Sequence, residues 1–205
     1  MTNKKEGGLV KVFASSDHHF YHRCRNIIKY ADRPFDINDE NCVIDCAKHM
    51  IEKHNNAIQQ DDISLLVGDL STALRGREDH FKGLLKLLNG RKILIRGNHD
   101  FQPDEFYLDA GFEAVVDYFK IPPYFINHYP CYVSKWNQKP EKEMMKHIDE
   151  DIHTVIHGHI HNKDPKVWDP DGIERINVCV DFTPNDFTPI ELTQPEIVEF
   201  FKDFT

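Results

Sequence analysis

No Cys-x-x-Cys pair occurs in this chain, and its five cysteines, Cys24, Cys42, Cys46, Cys131 and Cys179, are odd in number and scattered. That spacing argues against a disulfide framework or a zinc ribbon and suits a reducing compartment, so a cytoplasmic protein is expected. Long apolar runs are missing too. Nothing approaches the roughly 20 residues a membrane-spanning helix needs, and the first eight residues are polar, so neither membrane anchor nor leader is expected. Basic residues are outnumbered, 25 Lys and Arg against 34 Asp and Glu, giving a formal charge of -9. A broad cationic face holding a long nucleic-acid duplex is therefore not expected. Repeats and low-complexity tracts are absent. At 205 residues and 40% hydrophobic, the chain is expected to form a single domain over residues 1–205.

What the chain does carry is five separated clusters of metal-binding side chains: Asp17-His18-His19, Gly68-Asp69, Gly97-Asn98-His99-Asp100, His128, and Gly158-His159-Ile160-His161. Most sit where an apolar run ends. A strand that stops in such a side chain delivers it to one rim of a sheet, and five such stops can converge.

The runs themselves predict the scaffold. Strands are expected at Leu9 to Ala14, Ile63 to Val67, Lys92 to Ile95, Ala114 to Phe119, Tyr124 to Asn127, Thr154 to Ile156, Ile176 to Val180 and Ile190 to Leu192. A polar loop is expected through Arg33-Pro34-Phe35. Helical spacing recurs from Val43 to Ile58, Glu78 to Leu88, Pro103 to Ala110 and Glu141 to Ile148. Strand and helix alternate in the first half, which favours parallel pairing, and the second half is richer in strands. The expectation is a layered α/β sandwich, two packed mixed β-sheets flanked by helices, with a metal site at strand C-terminal ends. Asn162 to Glu174 reads as a surface loop. In the tail, Ile197, Phe200, Phe201 and Phe204 mark an amphipathic helix that packs on its own sheet or forms a homodimer contact.

Asp17 and His19 lie two apart, as do His159 and His161. In extended backbone that spacing turns both side chains to one face, where they can bind one cation together. Asp69 is the candidate bridge between two metals through its two oxygens, and Asn98 adds a neutral oxygen. A donor set of oxygen and nitrogen without sulfur favours borderline divalent ions, manganese first, with iron, nickel, cobalt and zinc open and magnesium disfavoured. Two such ions sharing a carboxylate suit metal-assisted phosphoester hydrolysis.

These residues resemble the calcineurin-like metallophosphoesterase superfamily, whose pattern is Asp-x-His, Gly-Asp, Gly-Asn-His-Asp or Glu, His, and Gly-His-x-His, here spanning Asp17 to His161. The resemblance implies one metal on Asp17, His19, Asp69 and His161, and another on Asp69, Asn98, His128 and His159. It implies attack on phosphorus by a metal-bound hydroxide, with His99 contacting the phosphate and assisting the leaving group and Asp100 orienting His99 from behind. The protein-phosphatase branch carries an arginine after Gly-Asp; here Gly68-Asp69-Leu70-Ser71-Thr72 lacks it. Asp17-His18-His19-Phe20-Tyr21-His22, Asn26-Ile27-Ile28 and Arg33-Pro34-Phe35 are closer to the small bacterial and phage type of phosphohydrolase.

His22 and Arg33 are candidate substrate contacts beside Asn98 and His99. The other helical histidines, His49, His54, His80 and His147, read as solvated or half-buried. The expected function is hydrolysis of a small phosphodiester or nucleotide-type ester. The alternatives are an inactive metal-binding scaffold of the same fold and a nuclease acting on single-stranded ends.

Overall fold

The computed structural model describes residues 10–20, 26–71, 74–132, 139–162, 171–182, 186–202 and 204. Its first sheet is made by β1 (Val12–Ser15), β2 (Ile63–Leu66), β3 (Arg91–Ile95) and β4 (Phe112–Val116), paired in parallel in the order β4-β3-β2-β1. β9 (Ile190–Leu192) closes the edge antiparallel to β1. Parallel neighbours need crossovers. These contain α1 (Asn26–Tyr30) and α2 (Cys42–Ala57), then α3 (Glu78–Leu85), then α4 (Asp104–Asp109).

The second sheet is β5 (Tyr118–Ile121), β6 (Tyr124–Asn127), β7 (Thr154–His157) and β8 (Glu174–Asn177), in that order. β5 and β6 are antiparallel and the other pairs parallel. α5 (Lys139–Met145) lies between β6 and β7 in sequence, and α6 (Pro195–Lys202) follows β9.

Side-chain alternation explains the layering. Ile63 and Leu65 of β2 point into the core between the sheets, where they meet Ile126 and Ile156, while Leu66 points the other way, toward Phe81 and Leu84 of α3. In the second sheet Phe125 and Val155 face outward and pack with Met144 and Met145 of α5. The result is helices, sheet, sheet, helix. Ile197 and Phe201 of α6 are fully buried in the inter-sheet core, which bears out the tail packing on its own sheets. Among the described residues no helix is long and apolar enough to cross a membrane.

Three local expectations are corrected. The stretch before Arg33 holds the short helix α1, whose five residues are too few to show a full helical period in sequence. The apolar run Ala114 to Phe119 is not one strand: the chain bends at Asp117, leaving β4 in the first sheet and β5 in the second. His54 is buried, its Nε2 3.0 Å from the Asn89 carbonyl. Of the expected surface loop, residues 163–170 lie outside the described residues, and Glu174 already belongs to β8.

Candidate metal centre

The five clusters follow strand ends that share one rim. Asp17 lies just past β1, Asp69 past β2, Asn98 past β3, His128 immediately past β6 and His159 past β7. The loops are joined by main-chain hydrogen bonds: Asp17 N–H to Gly68 O at 3.0 Å, His19 N–H to Asp69 O at 3.0 Å, and Gly158 N–H to His128 O at 3.1 Å. A bridge between Ser16 and Cys179 brings the two sheets together at this rim.

The backbone that aims the side chains is not extended, as the two-apart spacing suggests. Asp17, His19, Asp69, His159 and His161 all have positive φ, between 48° and 72°. Left-handed turns, sparsely populated except by residues such as Asn, Asp and His, fold each pair inward. Glycine makes the room. A Cβ on Gly68, itself at φ +82°, would lie 2.5 Å from His128 Nδ1, and one on Gly97 would strike the Asp69 carboxylate.

Asp69 stands at the centre. Its Oδ1 accepts the His99 N–H at 2.9 Å, and its Oδ2 faces His128 Nε2 at 3.4 Å, His19 Nε2 at 3.7 Å and His99 Nε2 at 3.9 Å. Oδ2 therefore faces imidazoles of both candidate pockets. The ligand atoms of Asp17, His19 and Asp69 lie within 4.8 Å of one another, as do those of Asp69, His128 and His159. Asp17 Oδ2 accepts from Ser16 Oγ at 2.6 Å and from His159 N–H at 2.9 Å, which leaves Oδ1 facing His161 Nε2 at 4.0 Å.

A divalent ion fits this set. Donors about 2.0–2.2 Å from one cation and spread over ordinary bond angles sit roughly 3–4 Å from each other, as Asp69 does with His128 and His19, and Asp17 with His161. Asp17 Oδ1, Asn98 Oδ1 and His128 Nε2 are buried without a hydrogen-bond partner. Three buried polar atoms without a partner would be costly if nothing were meant to meet them. His128 and His161 each have Nδ1 engaged, by the Val67 carbonyl at 2.9 Å and by Asp181 Oδ2 at 2.7 Å, so both present Nε2 to the centre.

Burial disfavours charge on all of these groups. It prevails at His19 and His159, pushed down to about 2 and about 3, so both are neutral donors. At His128 burial acts the same way, but the Asp69 and Asp17 carboxylates override it and lift the imidazole to about 10. Asp69, despite the same burial, is held below the usual carboxylate range by His128 and His19, whereas burial raises Asp17. A divalent cation here would compete with the His128 proton.

Several predicted roles change. Arg33, expected at the substrate, is buried: its guanidinium pairs with Asp181 at 2.7 and 3.0 Å, and it donates to the carbonyls of Asp17 at 2.8 Å and His18 at 3.0 Å. It fixes the first cluster from behind. Asp100 does not orient the His99 ring. It accepts from the N–H groups of Asp69, Gly97 and Leu70 at 2.8, 2.8 and 3.0 Å, clamping the β2 and β3 loops together. His22 lies outside the described residues.

Two residues escaped the sequence reading. Asp181 holds both Arg33 and His161; it ends an apolar run, Ile176 to Val180, so the rule that found the other clusters would have found it. Cys179 lies near Asp17 and His161, but its sulfur is 3.9 Å from the Nδ1 that Asp181 already engages.

The fold and this donor set define a phosphoesterase class. The family model for calcineurin-like phosphoesterases matches residues 10–131, and the chain belongs to that family. It is 38% identical over 98 residues to the uncharacterized protein MJ1445 of Methanocaldococcus jannaschii, covering 48% of this chain and 51% of that one. The chain thus spans about half the length of the curated relative it matches. The protein AQ665 of Aquifex aeolicus, of unknown function, shares the fold with a TM-score of 0.64 at 24% identity, over 94% of this chain and 98% of that one.

Proposed function

We propose that the chain is a dinuclear metal-dependent phosphoesterase that hydrolyses a small phosphodiester, with one cation on Asp17, His19, Asp69 and His161 and the other on Asp69, Asn98, His128 and His159. The observation that carries this reading is the Asp69 carboxylate, whose Oδ2 is faced by imidazoles of both sets, with Asp17 Oδ1, Asn98 Oδ1 and His128 Nε2 buried without a hydrogen-bond partner. Two bound divalent ions would supply Lewis acidity toward the phosphoryl oxygens and an activated water. Manganese is our first choice, on the mixed nitrogen and oxygen donors.

The chain does the positioning. Asp181 and the Val67 carbonyl fix the imidazoles of His161 and His128, and Asp100 holds Asp69 and Gly97 in register. His99 has its N–H pinned to Asp69 while its side chain is 39% exposed. It can therefore reach a phosphate oxygen at the mouth and give a proton to the departing oxygen. Because Arg33 is sealed behind Asp17, its cation does not reach the mouth to meet the extra charge of a monoester, which favours a singly charged diester.

The test is turnover of bis-p-nitrophenyl phosphate and p-nitrophenyl phosphate by manganese-reconstituted protein, with a chelator control. Faster, chelator-sensitive hydrolysis of the diester is expected. Metal-independent turnover, or none on either ester, would overturn the reading.

A further inference from the structure

The second sheet ends in a buried polar row that the chemistry above does not use. Asn127 closes β6, His157 closes β7 and Asn177 closes β8, and none is more than 4% exposed. His157 pairs with Asn177 in the ladder. Asn127 lies beside His157, because the pair before them is Ile126 and Ile156 and the ladder runs on through the Gly158 N–H to His128 O. By strand alternation the three side chains project from the same face as Phe125, Val155 and Arg175, away from the core between the sheets. Each grips the main chain of a turn that carries a candidate ligand histidine. Asn127 Oδ1 accepts the Tyr129 N–H, His157 Nδ1 donates to the Gly158 carbonyl and Asn177 Nδ2 donates to the His161 carbonyl, all at 2.8 Å.

Two nitrogens of the row are left over. Asn127 Nδ2 and His157 Nε2 are buried without a hydrogen-bond partner. The bonds made at the other ends of these side chains fix their roles. Because Oδ1 accepts from Tyr129, the remaining end of Asn127 is a donor; because Nδ1 donates to Gly158, the neutral imidazole of His157 leaves Nε2 as an acceptor. A donor and an acceptor that neighbour but do not bond each other are satisfied by one water molecule, which accepts from the first and donates to the second. The same two residues support one metal pocket. Asn127 fixes Tyr129, whose ring meets His128 and His159 edge-on at 5.2 and 5.1 Å, and His157 fixes the Gly158 carbonyl directly before His159. Resting on the two-metal reading above, we propose that Asn127 and His157, joined by one buried water, are positioning residues for the pocket of His128 and His159. Arg33 and Asp181 back the Asp17 pocket, and this pair backs the other.

Two measurements on the full-length protein test this. A crystal structure of the metal-free protein should show an ordered water about 3 Å from both Asn127 Nδ2 and His157 Nε2, a readout that does not depend on the two-metal reading. The second measurement is calorimetric titration with manganese. His157→Phe keeps the bulk of the ring and removes both nitrogens, so it should weaken one of two binding steps at least tenfold and leave the other within about twofold. Its manganese-loaded crystal should keep the peak beside Asp17 and weaken the one beside His128. His157→Asn, whose amide nitrogen can stand where Nδ1 stood and hold the Gly158 carbonyl, should recover part of the loss, which restored packing volume alone would not do. Asn127→Leu should weaken the same step and serves in place of His157→Phe if that variant fails to fold. No shared water in the unaltered protein, unchanged manganese binding in both His157→Phe and Asn127→Leu, or equal weakening of both steps would overturn the proposal. If the unaltered protein holds the water but binds no manganese, the two-metal reading fails and the bridge between the two turns stands.

Discussion

At the scale of single residues, the seven candidate ligands could be named from the sequence because each follows a strand or turn signal and carries a metal-binding side chain. The roles of their neighbours could not. Arg33 and Asp181 are 148 positions apart, and nothing local to either says that they pair and so close off the first cluster from behind. Asp100 sits next to His99, yet its oxygens accept from the main chain of its own turn, at Gly97, and of the adjoining loop, at Asp69 and Leu70. Asp100 therefore does not back the His99 ring. His99→Ala is expected to retain both metals and lose on the order of 10² to 10⁴ in kcat. The loss should be larger on a diester with an alkoxide leaving group than on one releasing p-nitrophenolate, which departs without a proton. Paired rate and metal-content measurements check this; lost metal would make His99 a ligand, and equal losses on both esters would remove the proton-transfer role.

At the scale of elements, the site depends on how closely the loops after the strands can approach. Gly158 follows β7, and a methyl group there would lie 2.6 Å from Ser16 Cβ and strike the Asp17 carboxylate. Gly158→Ala should weaken metal binding at the Asp17 pocket at least tenfold. Its cost in stability should stay near the ~1–3 kcal/mol of an overpacked contact. Calorimetric metal titration alongside thermal melting separates the two, and unaltered metal affinity would contradict the close approach. Away from the site, α5 carries a buried carboxyl. Burial lifts Glu141 to about 7, against the partial relief of the Cys131 amide and the charge of Arg175. The folded state thus holds this proton more tightly than the unfolded chain, whose carboxyl titrates near 4.5. The associated stability is complete below that value, declines as pH rises and is lost by about 7. Glu141→Gln should flatten the fall in stability across that window, as followed by denaturant unfolding at several pH values. An unchanged profile would place the carboxyl in water.

At the scale of the whole molecule, most strands were legible because apolar runs of four or five residues bounded by polar ones leave little choice of element. Which sheet each strand joins was less so. The run from Ala114 to Phe119 is apolar on both sides of Asp117, and only the packing of two sheets decides that the chain changes layer there. The change matters, because it brings β6 and β7, with His128 and His159, to the rim already occupied by Asp17, Asp69 and Asn98. Everything proposed about chemistry depends on that convergence on one carboxylate. The most direct test is an anomalous-scattering crystal structure of the manganese-loaded protein, with Asp69→Asn in parallel. The account predicts two manganese peaks flanking Asp69 Oδ2, about 3.5–4 Å apart as in two-metal sites, and the loss or marked weakening of both in the variant. A single peak, peaks away from Asp69, or two full peaks in Asp69→Asn would contradict it.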